Sequence, residues 1–377
     1  MLTIYDPAEP RPLLLTARRE WGSNHYELRS VELAGRPATE LVFRRGDEAR
    51  AMVQSCLWLP WTALDKVGGL SVDLHCTNSG AKLFLDCLDA DGWGLRFFLG
   101  TDQYAGWHTF RFDPFELAAT WGACAGKRSS TDPLQPVALM IEDHADRGSF
   151  ELGLGQVVAQ AQPAEPLALH GEAACNLDRS TLELDITRGA RLLRNFGLRA
   201  MLPGPGQADF RRLSVRNVKP LAHGLYQAEL ASGEVRLPLE VELQQISSQV
   251  WIVRYELHFR TALRLDELHL RGLLGYREAV GLSFVAGDDE AAELDGRPSA
   301  EPVLAEPAIW ESLSIGVPGE PLLRIKADAP VLKSLQLLDL RAEEDTPSYA
   351  VEVIVARDEE FAAGTELKFN MLFDGNG

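Results

Sequence analysis

The stretch LFLDCLDADGWGLRFFLGTDQYAGWHTFRF, residues 83–112, decides how the chain is read. Three apolar runs are punctuated by Asp91-Gly92 and Ala105-Gly106, and such dipeptides supply turn conformations. Runs of this length between turns predict short strands. Leu83, Leu85 and Cys87 would point inward, with Lys82, Phe84 and Asp86 on the opposite face. Phe110 and Phe112 likewise alternate with Thr109 and Arg111. Trp93 and Trp107 each follow a turn glycine, and Trp107 is expected to be mainly scaffold, pointing inward with the phenylalanines.

Immediately upstream, residues 69–76 (GLSVDLHC) alternate cleanly, with Leu70, Val72, Leu74 and Cys76 on one face and Ser71, Asp73 and His75 on the other. Asn78-Ser79-Gly80 then offers positive-φ residues, which predicts a hairpin joining residues 69–76 to 81–88. Downstream, Asp113-Pro114-Phe115-Glu116 has the N-cap, N1 and N3 residues of a helix start. Residues 137–141 and 149–158 read as further strands. Residues 159–171, AQAQPAEPLALHG, carry no period and mark a domain boundary.

Beyond it the pattern is again β. The clearest strand is residues 249–260, QVWIVRYELHFR, where Trp251, Val253, Tyr255, Leu257 and Phe259 share one face. Residues 262–271 are expected to be its partner, which would put His258 and His269 on neighbouring strands. Residues 286–307 are rich in Asp, Glu and Pro and read as a solvated loop. The expected fold class is all-β: two β-sandwich, jelly-roll-like domains in series with little helix. The first spans 1–160, a linker 161–171, and the second 172–377.

Composition narrows the partners. A 377-residue chain with 46% hydrophobic residues can build two packed cores. Its formal net charge of −18 argues against nucleic acid and, unless a local basic patch overrides the mean field, against polyanionic glycans. No signal peptide is visible and no run is long enough to span a membrane, so a cytoplasmic location is slightly favoured. The five cysteines form no metal-finger spacing. In a hairpin turning near Ser79, with ~3.4 Å per residue, Cys76 and Cys87 would sit several pairs apart, so reduced thiols are expected.

The order of motifs over about residues 65–158 is what carries a family likeness. LDKVGGLSVDL and KLFLDCLDADGWGLRFFL are followed by AGWHTFRFDP, PLQPVALMIED and a closing GSFELGLGQVV. This resembles a carbohydrate-binding module of the galactose-binding-like jelly-roll type. The second domain is faintly similar to accessory β-sandwiches of polysaccharide-active enzymes, some of them galactose-mutarotase-like. The resemblance implies an oligo- or polysaccharide partner.

Saccharides need flat apolar surfaces for their C–H faces and polar groups for their hydroxyls. The candidate ligand-binding residues are therefore Asp86, Arg96, Phe98, Lys82, His75, Arg111, Trp93 and Tyr104, with Arg96 and Phe98 beside Asp86 as the central set. Asp86, Asp89 and Asp91 do not make an EF-hand loop, so no metal is assigned. Calcium is the one cofactor left open. No HExxH or GxSxG occurs, and Pro205 removes an amide donor from Gly204-Pro205-Gly206. No catalytic residue is assigned, though His258 or His269 could serve as an acid/base. The leading expectation is a glycan-binding or accessory protein without its own catalytic centre. One alternative is a carbohydrate hydrolase, lyase or epimerase with its site in the second domain or at the domain interface, betrayed by a His–Glu pair or facing carboxylates in a cleft. Another is an assembly protein whose sandwiches make only protein–protein contacts.

Overall fold

A computed structural model describes residues 1–11, 13–17, 25–44, 52–62, 64–65, 67–88, 94–112, 119–121, 135–144, 149–163, 169, 171–203, 211–287, 290–294, 303, 312–317, 320–328, 333–340 and 348–376. Most of this is strand, as the alternation predicts, and the described helix is a single turn, Tyr276–Ala279. Among the described residues no helix is long and apolar enough to cross a membrane. The helix start at 113–116, Cys124, the loop at 204–206, and Asp89, Asp91 and Trp93 lie outside the described residues.

The chain divides into two compact units. One holds Met1–Pro166 with Gly296–Ala300 and Asp339–Pro347; the other holds Leu167–Asp295, Glu301–Leu338 and Ser348–Gly377.

The first unit contains β1 (Leu2–Tyr5), β2 (Leu14–Ala17), β3 (His25–Leu33), β4 (Arg36–Arg44), β5 (Met52–Trp58), β6 (Leu64–Asp65) and β7 (Leu70–Cys76). It continues with β8 (Lys82–Leu88), β9 (Gly94–Thr101), β10 (Gly106–Phe112), β11 (Ala119–Trp121), β12 (Gln135–His144), β13 (Ser149–Ala159) and β14 (Gln162–Pro163). One sheet runs β10-β7-β13-β4-β3 with β1 against β13, and the other runs β11-β9-β8-β12-β5-β2. Leu70, Val72 and Leu74 of the first face Leu83, Leu85, Leu139 and Ile141 of the second across a continuous apolar core. This is a β-sandwich, and the alternation of residues 69–76 appears directly in its burial.

The hairpin expected at Asn78-Ser79-Gly80 does not form. β7 pairs with β10 and β13, whereas β8 pairs with β9 and β12 in the other sheet. Asn78 (φ 62°) and Gly80 (φ 79°) do turn the chain, but they turn it across the sandwich. Asp102 fixes that corner. Its buried carboxylate accepts from the amides of Thr77 (3.3 Å), Asn78 (2.9 Å) and Ser79 (2.9 Å), and from Ser79 Oγ (2.5 Å). One carboxylate thus satisfies three successive amides that neither sheet can reach. Cys76 and Cys87 consequently sit in opposite sheets, both buried and both free. Burial, aided by Asp102, pushes the Cys76 thiol up to about 12.

The second unit contains β15 (Ala174–Leu177), β16 (Leu184–Arg188), β17 (Ala190–Leu202), β18 (Arg211–Ala222), β19 (Leu225–Ser232), β20 (Val235–Ser247), β21 (Val250–Phe259) and β22 (Leu263–Gly275). After the helical turn come β23 (Ser283–Ala286), β24 (Ala292–Glu293), β25 (Ser312–Val317), β26 (Glu320–Asp328), β27 (Ser334–Asp339), β28 (Ser348–Phe361) and β29 (Thr365–Asp374). They join one sheet of order β24-β23-β25-β26-β29-β21-β20-β19-β18-β17-β22-β28-β27, with β15 and β16 branching from β17.

The sheet doubles back at β17, which pairs β22 along most of its length and β18 only at Ala200–Leu202. Aromatic contacts close the two arms. Phe196 of β17 meets Phe373 of β29 edge-on at 5.1 Å, and Phe259 of β21 stacks on Phe361 of β28 at 4.3 Å. Residues 249–260 behave as read, with Trp251, Val253, Tyr255, Leu257 and Phe259 all buried. Their expected partner is wrong. β21 pairs β20 and β29, and β22 pairs β17 and β28, so His258 and His269 lie on separate arms.

Candidate functional site

Because β7 and β8 belong to different sheets, the sequence-derived candidates separate onto the two outer faces of the first unit. His75 and Arg111 lie on the outer face of the β10-β7-β13 sheet. Asp86, Arg96, Phe98 and Lys82 lie on the outer face of the β9-β8-β12 sheet. Tyr104 is 71% exposed in the short link between β9 and β10. Trp93 is outside the described residues.

On the β8–β9 face the cross-strand register places Asp86 opposite Arg96 and Phe84 opposite Phe98. Arg96 Nε and Nη2 donate to the two Asp86 carboxylate oxygens, each at 2.7 Å. This is a bidentate pair of the strongest geometry, and Asp86 is only 3% exposed. Burial alone would lower the Arg96 guanidinium, but the hydrogen bonds and charge of Asp86 hold it above its ordinary value. The Arg96 guanidinium also lies 5.7 Å from the Phe84 ring, and Phe84 packs at 5.2 Å against Phe98. Phe98 is 58% exposed. One residue pair along, Lys82 Nζ donates to Glu142 Oε1 at 3.1 Å.

The same face becomes apolar towards β12 and β5. Cys56, Trp58, Leu88, Val137, Ala138 and Met140 form a second buried cluster there, with Leu14 and Phe84 at its margin. Trp58 Nε1 donates to Thr16 Oγ1 at 2.8 Å, so its one polar group is satisfied.

The opposite outer face closes over its aromatic residue. Trp107 points outward beside His75, not inward with Phe110. Its ring lies under the Arg36 guanidinium at 4.2 Å and edge-on to His75 at 5.4 Å. Its Nε1 donates to the Leu33 carbonyl at 2.9 Å. Gly155 leaves room for it, since a Cβ there would fall 2.7 Å from the ring. Asp73 accepts from Arg36 Nη2 and from Thr109 Oγ1, both at 2.6 Å. Trp107 is scaffold, as expected, but on the outer face.

A third constellation, in the second unit, surrounds His269, one of the two histidines the sequence offered as an acid/base; its arginine and glutamate neighbours were not foreseen. On β22 and its neighbours, Gly197, Arg271 and Glu352 form one cross-strand row, and Arg199, His269 and Ile354 the next. Arg271 Nε lies 3.1 Å from Glu352 Oε1, and both side chains are 10% exposed. His269 is 2% exposed, and neither ring nitrogen makes a well-aligned hydrogen bond; Nδ1 stands 3.5 Å from Glu267 Oε2. That imidazole, with Arg357 also at 3.5 Å, holds the Glu267 carboxyl below the usual carboxylate range. The strand period of residues 262–271 and His269 within it signalled this face. Glu352 comes from a strand some eighty residues away and could not be assigned to it.

His258 sits differently. It is flanked by Glu256 (3.2 Å) and Glu366 (3.6 Å), a trio whose ligand atoms could surround a cation. Lys368 Nζ already lies 2.8 Å from Glu256 and 3.3 Å from Glu366. The ammonium supplies the charge a metal would bring, and the cluster is a half-exposed ion-pair network.

No family model matches this chain. No curated protein matches it either. Among solved structures it is similar to the "Putative aldose 1-epimerase" of Escherichia coli K12, at 11% identity and a TM-score of 0.36, over 54% of this chain and 96% of the other.

Proposed function

We propose that this chain is a saccharide-binding protein whose ligand lies on the outer β8–β9 face of the first unit. The observation that carries the reading is the exposed Phe98 ring, backed by Phe84 and flanked by the Arg96–Asp86 pair. A phenyl group held open to solvent on the outer face of a sheet offers the apolar platform a pyranose ring needs, and the charged pair beside it places polar groups near the hydroxyls. Lys82 and Glu142 extend the polar rim. The other outer face is a poorer platform, because Arg36 already covers Trp107. Affinity electrophoresis against a panel of polysaccharides tests this. Phe98→Ala, or Arg96→Ala together with Asp86→Ala, should abolish retention by any glycan that slows the wild type. Retention unchanged in both variants would remove this face, and no retention by any glycan would remove the class.

A second reading, an epimerase-like or lyase-like enzyme, is favoured by one observation in the second unit. His269 is buried without a well-aligned hydrogen bond, next to Glu267 and between Arg199 and Arg271. A buried imidazole left so poorly satisfied calls for a reason, and proton transfer to a ligand is one. His269→Asn would then abolish wild-type mutarotation of aldoses, followed by polarimetry, while leaving glycan retention intact. Equal rates in variant and wild type would sink this reading.

A further inference from the structure

A small basic depression in the second unit stands apart from both of these places. It has a volume of about 440 Å³ and is lined by Arg212, Ser214, Arg216, Asn217, Ser232 and Arg236, among others. The register explains why they converge. Arg212, Ser214 and Arg216 alternate along one face of β18, and the row Ser214–Ala231–Arg236 runs across β18, β19 and β20.

The β19–β20 hairpin holds the third arginine in place. Arg236 Nη1 donates to the carbonyls of Gly233 (2.5 Å) and Val235 (2.8 Å). A register shift after Arg216 brings Asn217 to φ 55°, and its Nδ2 donates to Glu229 Oε2 at 3.1 Å. Glu229 lies 3.9 Å from Arg236 Nε. Among the described residues, neither Arg212 nor Arg216 has a carboxylate within ion-pair distance.

Three guanidinium groups thus share one concave surface, with Glu229 beside Arg236 and Glu183 within electrostatic reach of Arg212, in a chain whose formal net charge is −18. Like charges so placed repel one another, and an anion seated among them relieves that repulsion. The guanidinium fork matches the paired oxygens of a carboxylate or phosphate. The two serines and Asn217 add neutral hydrogen-bonding groups suited to hydroxyls, and the volume falls in the range of small-molecule sites. We infer that this depression binds the oxyanion group of a small hydroxylated molecule, such as an acidic sugar. The site is independent of the β8–β9 face, and either proposal could fail without the other.

The test is calorimetric titration of the full chain with glucuronate, glucose 6-phosphate and glucose at low salt. Glucuronate or glucose 6-phosphate should bind and glucose should not, and the affinities of the two acids distinguish a carboxylate source from a phosphate source. Arg212→Gln with Arg216→Gln should weaken that binding by at least about tenfold, since charge-assisted hydrogen bonds are lost. Arg254→Gln, at an exposed arginine paired with Glu242 elsewhere on the sheet, should leave it unchanged. If the double glutamine variant is unfolded by circular dichroism, Arg212→Lys with Arg216→Lys keeps the charge and should still weaken binding by losing the fork. Neither acid binding better than glucose, or equal binding in wild type and a folded double variant, would overturn the inference.

Discussion

Phe98 and Trp107 sit on the two outer faces of the same sandwich, and the protein treats them in opposite ways. Trp107 has Arg36 above it, Gly155 below, His75 at its edge and its N–H committed to the Leu33 carbonyl. Phe98 packs against Phe84 and is otherwise 58% exposed. Both residues leave the core by the same two-residue period. That period decides only which side of a sheet a side chain takes. Whether it then reaches solvent depends on what neighbouring strands place beside it. The glycine and the arginine that enclose Trp107 come from β13 and β4, whereas the ring beside Phe98 is Phe84 of β8, which leaves it mostly open.

Three substitutions probe this contrast, in falling order of effect on stability. Asp102→Ala would strip a buried corner of its only four-way acceptor, and the corner is what sends β7 and β8 to different sheets. A loss of about 3 kcal/mol is expected in urea unfolding, the scale of a buried network broken at one partner. Wild-type stability would mean that the turn holds itself. Gly155→Ala would press a methyl group into the Trp107 ring and against Asp73, whose Cβ would be 2.9 Å away. Overpacking of that kind costs about 1–3 kcal/mol, and it should also shift Trp107 fluorescence. No change would show that the ring is free to move. Phe98→Ser removes a mostly exposed ring, so the midpoint of unfolding should move by no more than about 0.5 kcal/mol equivalent.

The sequence made the strands legible because alternation is a local property. Residues 69–76 and 249–260 bury the side chains their pattern assigns. Partners are not local. Both predicted hairpins, at Asn78-Ser79-Gly80 and after Phe259, are corners that carry the chain from one sheet or arm to another. A positive-φ residue specifies a reversal of direction without saying which strand is met afterwards.

The same limit governed the site. Alternation puts Asp86 on the face opposite the inward leucines, and it lies there, yet buried, because its row continues into Ala138 and Trp58 instead of polar residues. Its pairing with Arg96 was legible, since the two strands are close neighbours in sequence, with residues 89–93 between them. The Arg271–Glu352 pair was not, since it joins β22 to β28 across the long segment that holds β23 to β27.

The most direct test of the central claim is calorimetric titration of wild type and Phe98→Ser with a glycan that retains the wild-type protein. Loss of at least about tenfold in affinity, with an unfolding midpoint that barely moves, is the predicted result. Equal affinity in the two proteins would contradict the account and show that the exposed phenyl ring of β9 is not where the saccharide binds.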